Sequence, residues 1–190
     1  MKSTEVYSLL RSELAPWFKS EGFKRTKELL GWSRPSGGAY TVVWCQVSRD
    51  GWDPFAGSRF VVEFQRSADS HLGSFHATRE RLGKLLSQEE REEVRRIQNS
   101  VIAELRPAPA THPWLQISPE VTAWYLKEFK PVSEPYSERD DIWFRYASPE
   151  HVSNWAKFIL EKLPKCIGFV ERWPIQPGTP TPPALPGTAP

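Results

Sequence analysis

The chain has 190 residues, 39% hydrophobic and 25% charged, with 25 Lys and Arg against 23 Asp and Glu. That is the composition of one globular domain, long enough to bury a core without disulfides or a structural metal. A net charge of +2 excludes a global electrostatic pull towards nucleic acid or an anionic membrane, so binding of that kind needs a local patch.

Residues 1–6 hold no hydrophobic signal region, and the longest apolar runs, 42–45 and 60–62, are far too short to span a bilayer. The expectation is a soluble cytoplasmic protein. The two cysteines, Cys45 and Cys166, are read as buried free thiols of a reducing compartment, because Cys45 sits in an apolar run where Cys packs as a small hydrophobe.

Val6, Leu10, Leu14 and Trp17 recur near helical spacing, which predicts a helix over 4–20 with Ser3 as its cap and Gly22 as its left-handed stop. Pro16 removes a donor from the last turn and predicts a kink or an early end near Ala15. Two strands, 28–34 and 39–49, flank Pro35-Ser-Gly-Gly38 and read as a hairpin. In the second strand Tyr40, Val42, Trp44 and Gln46 face one way and Thr41, Val43, Cys45 and Val47 the other. Both sets are largely apolar, so this strand is expected at the centre of the sheet. A third strand, 59–66, follows a loop through Asp50, Gly51, Asp53 and Pro54 and makes the sheet antiparallel.

Leu82, Leu85 and Leu86 suggest a short helix. Ser87-Gln-Glu-Glu90 is a capping box, after which Val94, Ile97, Val101 and Leu105 form an apolar stripe up to Pro107. The other face, with Arg91, Glu92, Glu93, Arg95 and Arg96, is expected in solvent. Residues 121–129 read as a further short helix, and 141–147 as a fourth strand with Ile142, Phe144 and Tyr146 opposite Trp143 and Arg145. Ser148-Pro149-Glu150 opens a last helix with cap, Pro and acid in the preferred order. Val152, Trp155, Ile159 and Leu163 are its buried stripe, and Pro164 is its expected end.

From 174 to 190, seven of seventeen residues are Pro, which predicts a disordered tail. The tail's Pro-x-x-Pro spacings lack the flanking basic residue that polyproline readers want, so it reads as an inert end. The expected fold is α+β: a four-stranded, mainly antiparallel sheet with helices packed on one face, in the order α-β-β-β-α-β-α. It occupies one domain, 1–173.

Few residues point to chemistry. Neither a Gly-rich phosphate loop nor a G-x-S-x-G elbow occurs, and His71, His76, His112 and His151 lack metal-ligand spacing. Asp140 and Asp141 are adjacent and would point to opposite faces of a strand. The nine Trp divide into Trp17, Trp44 and Trp155, which fall on core stripes, and Trp32, Trp52, Trp114, Trp124, Trp143 and Trp173, which do not. Trp52 lies in a loop where exposure is expected. An exposed aromatic near Arg49, Arg59 or Arg66 would suit an anchor for a protein partner.

The acid at Asp53 followed by Glu63-Phe64-Gln65, in this order of elements, resembles the restriction-endonuclease-like nuclease fold. That resemblance implies a Mg²⁺ held by Asp53 and Glu63, with Gln65 where the family has its water-activating Lys. Gln65 cannot supply the cation, Asp53 precedes its Pro rather than following it, and no basic stripe prepares a DNA channel. No catalytic, cofactor-binding or metal residue is therefore assigned, and no cofactor is expected.

Ser20-Glu-Gly-Phe-Lys-Arg25, Trp32-Ser-Arg34 and Phe60-Val-Val-Glu-Phe-Gln65 resemble a group of bacterial proteins known as domain of unknown function 4304. The resemblance spans the first two thirds of the chain. It implies a bacterial cytoplasmic α+β protein without assigned catalytic residues, some similar small proteins being suspected toxin-neutralising partners. The leading expectation is a non-enzymatic protein-binding module, of the immunity-inhibitor type in its narrower form. The alternative is a divalent-metal-dependent nuclease-like protein or its inactive relative.

Overall fold

The computed structural model describes residues 1–27, 30–74 and 76–175. Positions 28 and 29, where the first strand was expected to begin, and nearly all of the Pro-rich tail lie outside the described residues.

The sheet grows from the hairpin. Gly37 and Gly38 have φ of +52° and +77°, the two-residue turn whose twist matches paired strands. They join β2 (Leu30–Ser36) to β3 (Ala39–Val47), in register from Ser36 opposite Ala39 to Leu30 opposite Cys45. β4 (Ser58–Ser67) pairs antiparallel on the other side of β3. β3 is thus interior, and Val42, Val43, Trp44 and Cys45 are all buried, as apolar residues on both faces predict.

The sheet has six strands, not four. β1 (Lys24–Arg25) adds to β2, and β5 (Thr78–Arg81) adds to β4. The expected fourth strand shortens to β6 (Phe144–Tyr146) and also pairs with β4. β5 and β6 share one edge of β4, β5 beside residues 63–66 and β6 beside 58–60. β1 and β5 are short, charged edge strands, built to discourage further pairing, so they carry no apolar alternation to be read from sequence.

α1 (Ser3–Ser20) and α5 (Pro149–Val170) pack on one face of the sheet. Leu10, Leu14, Phe18, Trp155, Ile159 and Leu163 meet Trp32, Val43, Cys45, Phe60, Val62 and Phe64 in a single buried cluster. Neither internal proline stops its helix. α1 runs through Pro16 to Ser20, and α5 runs through Pro164 to Val170. An interior Pro costs about 3 kcal/mol. Beyond Pro16 the chain buries Phe18, and beyond Pro164 it buries Cys166, Ile167 and Val170, at roughly 1.5–3 kcal/mol for each large apolar side chain. Phe18, not Trp17, takes the core position and stacks on Trp32 at 4.2 Å, leaving Trp17 half-buried at the rim. The stop at Gly22 (φ +77°) is as expected, with the Phe23 N–H donating to the Phe18 carbonyl at 2.9 Å.

α2 (Leu82–Leu85) leads into α3 (Gln88–Glu104). The capping box forms: the Glu90 N–H donates to Ser87 Oγ at 3.3 Å and the Ser87 N–H to Glu90 Oε2 at 2.7 Å. Arg91 is buried rather than solvated and donates to the Gly83 carbonyl at 3.4 Å. Gln98 ties α3 to β6: its Nε2 donates to the Trp143 carbonyl, and its Oε1 accepts the Arg145 N–H, both at 3.2 Å. Ser148 caps α5, its Oγ accepting the His151 N–H at 3.4 Å. Both cysteines are buried and free, and burial pushes each thiol up to about 12. Among the described residues no helix is long and apolar enough to cross a membrane.

Candidate binding cleft

Between β3 and β4 the chain leaves the sheet in a loop that closes on itself. Asp53 and Gly57 form an isolated antiparallel bridge through hydrogen bonds of 3.0 and 2.8 Å. Gly57 has φ +68°, and a Cβ there would lie 2.2 Å from the Tyr146 carbonyl oxygen, so only glycine fits. Within the loop, Asp53 Oδ1 accepts the Phe55 and Ala56 N–H groups, both at 2.8 Å, a local turn that Asp side chains stabilise.

The same carboxylate holds a distant segment. Oδ1 accepts the Tyr125 hydroxyl at 3.1 Å, and Oδ2 lies 2.8 Å from His112 Nε2. His112 Nδ1 accepts the Trp114 N–H at 3.3 Å, so the ring hydrogen sits on Nε2 and is donated to Asp53. The His112 ring stacks on Tyr125 at 5.0 Å and meets the Phe55 edge at 5.5 Å. Burial acts to raise the Asp53 pKa. The hydrogen bonds from Ala56, Phe55 and Tyr125 and the nearby His112 outweigh it and hold the carboxyl below its ordinary value. Burial and the Asp53 charge push the Tyr125 phenol upwards. With both imidazole nitrogens engaged, this cluster is a latch and offers no general base.

The latch seats a 3-10 turn (Pro113–Gln116) and α4 (Pro119–Lys127) over the 48–57 loop. His112-Pro113 and Ser118-Pro119 open these two elements, each cap side chain accepting a backbone N–H. Beneath them lies a small cleft of about 50 Å³, lined by Asp50, Asp53, Arg59, Trp114, Trp124, Tyr125 and Glu128 among others. Trp114 and Trp124 meet at 61° with centroids 6.2 Å apart, and they remain 37% and 41% exposed. Arg59 reaches Asp50 at 2.9 Å and Glu128 at 3.7 Å. Glu128 is also paired with the buried Arg145, whose pKa burial and the neighbouring Arg59 pull down to about 10.

Of the three residues of the nuclease-like resemblance, Asp53 alone belongs to this cleft, which is also lined by Arg59 and by Trp114 and Trp124 from the unassigned aromatics. Glu63 lines a second groove with Trp44, Arg79, Arg81 and Asp141. It accepts from Arg81 Nε at 3.2 Å, and Arg81 also pairs with Asp141 at 2.5 Å. Trp143 lies between the two hollows: Arg59 from one and Arg81 from the other sit over its ring, at 5.4 and 4.9 Å. Gln65 is fully buried. Its Nε2 donates to Ser67 Oγ and the His71 carbonyl, both at 2.7 Å, and its Oε1 accepts the Gly73 N–H at 2.8 Å. Gln65 therefore shapes the 67–73 loop rather than replacing a catalytic lysine. Among the described residues no cluster of three or more His, Cys, Asp or Glu stands ready for a metal ion.

Trp52 is exposed at 38%, as its loop position suggests, while Trp32 belongs to the core. His112, Tyr125 and Glu128 carry no mark in the sequence. Tyr125 and Glu128 fall in the expected short helix 121–129 and His112 in a Pro-punctuated connection, but the contacts of His112 and Tyr125 with Asp53 span 59 and 72 residues. Comparison with known protein families, with curated proteins and with solved structures finds no match to this chain.

Proposed function

We propose that the protein is a non-enzymatic protein-binding module whose recognition surface is the 3-10 turn and α4, together with the cleft beneath them. One observation carries this. Among the described residues, four of the seven exposed large apolar side chains, Trp114, Ile117, Trp124 and Leu126, lie in this one segment. A monomer seldom leaves neighbouring large apolar groups in water without using them, and Trp dominates the energetics of protein interfaces. The groups nearby with catalytic potential are already committed: Asp53 and His112 to the latch, Arg59 and Glu128 to ion pairs. Toxin-neutralising inhibitors of the kind implied by the resemblance of residues 20–25, 32–34 and 60–65 are modules of this class.

The test is affinity capture from the native host with the full chain and with the Trp114→Ala/Trp124→Ala double variant, checking by circular dichroism that both fold. A stoichiometric protein held by the first and lost by the second supports the proposal. Equal capture by both, or no protein captured by either, overturns it.

A further inference from the structure

We infer that the cleft below the 3-10 turn and α4 receives a basic side chain of the partner protein, an ammonium or guanidinium held against the open indole faces of Trp114 and Trp124. This rests on the protein-binding reading and deepens it. The two indoles form adjoining walls at 61°, and each is open enough to accept another group against its ring. Indole faces carry a negative quadrupole and attract cations more strongly than other side-chain rings do. The charge around them has the matching sign. Asp50, Asp53 and Glu128 line the cleft with Arg59 as its one cation, and Arg145 behind Glu128 is the second guanidinium. Three carboxylates against these two guanidiniums leave negative charge in excess around the indoles.

Asp50 is the carboxylate best placed to meet an incoming cation, since its side chain is half exposed. An anionic ligand would meet three carboxylates there. A purely apolar one would leave their charge uncompensated in a narrowed, partly dehydrated space.

The probe is choline, with 3,3-dimethylbutan-1-ol as its uncharged isostere, titrated into the full chain and followed through the indole N–H resonances, which the Trp114→Ala and Trp124→Ala variants assign. The expected result is saturable movement of those two resonances, with choline binding at least about tenfold tighter than the alcohol. Either Trp variant should abolish it. Asp50→Asn, an exposed change that leaves the latch untouched, should weaken choline about threefold and leave the alcohol unchanged. Equal binding of the two probes, or no saturable shift, overturns the inference. The two readings fail separately. A captured protein that saturating choline does not displace leaves the binding module standing and removes the cation site, whereas choline binding without any captured protein does the reverse.

Discussion

The sheet with α1 and α5, and the excursion of residues 106–141, are held by different forces. In the body, Leu10, Val43, Phe64, Ile159 and Trp155 are completely buried, each contributing on the order of 1.5–3 kcal/mol. In the excursion Tyr125 is the one buried residue, and apart from Tyr136 packed against the core and the His112–Tyr125 stack, attachment is mainly polar. Asp53 holds His112 and Tyr125, Arg145 holds Glu128, and Asn99 exchanges hydrogen bonds of 3.1 and 2.7 Å with the Val132 backbone. Such bonds are worth about 0.5–1.5 kcal/mol each, somewhat more when charged. A segment so attached opens locally at a lower free energy than the body unfolds, and it leaves its apolar groups free for another molecule.

The strongest challenge to this contrast is Trp155→Ala. It empties the centre of the core and removes the indole N–H donated to the Arg145 carbonyl at 2.5 Å. The expected loss is about 3–5 kcal/mol, read as a fall in the midpoint of urea unfolding by circular dichroism. A loss below 1 kcal/mol would mean that α5 is not the keystone of the body.

Asp53→Ala comes next. It cuts the latch at its shared carboxylate, and we expect the free energy of local opening of the excursion to fall by about 1–3 kcal/mol. Amide hydrogen exchange should accelerate across 112–127, and protease cleavage should appear within 106–141, while β3 and β4 keep their protection. Uniform loss of protection through β3, β4 and α4 would show that body and excursion form one cooperative unit.

Acid should reproduce that variant reversibly. The folded Asp53 carboxyl titrates below its unfolded value, which is near 3.9. Its contribution is therefore fully present above that unfolded value and disappears as pH falls through the lower, folded one. Exchange in 112–127, corrected for intrinsic pH dependence, should rise over that acid window in the wild type. In Asp53→Asn that step should vanish. An unchanged acid step in Asp53→Asn would place the titrating group elsewhere.

The same division of forces explains what the sequence could reveal. The body follows local rules: the two-Gly turn sets the hairpin, the two apolar faces of 40–47 announce an interior strand, and Ser148-Pro149-Glu150 marks the start of α5. The helix ends misled where a local rule met a tertiary one, since Cys166, Ile167 and Val170 gain more from burial than Pro164 costs. Arg91 likewise reads as a surface charge until Gly83 offers it a carbonyl. β1 and β5 were invisible because edge strands are selected for charge, not alternation. At the cleft, Asp53 stood out for a different chemistry. Its partners lie 59 and 72 residues away, joined by long-range polar contacts that leave no periodic signature. Trp114 and Trp124 were visible as surplus aromatics, but their meeting depends on the latch.

The smallest expected effect on stability is the most discriminating. Trp114→Ala and Trp124→Ala remove large side chains, yet each indole is already more than a third exposed and meets the other edge-on. Each single change should alter the unfolding free energy by no more than about 0.5 kcal/mol, as for surface positions outside the core. If the double variant instead costs several kcal/mol, the two rings are structural and the excursion is a satellite core. If stability holds while partner capture is lost, the rings spend their apolar surface on another protein, which is the use a weakly attached, aromatic-bearing segment leaves open.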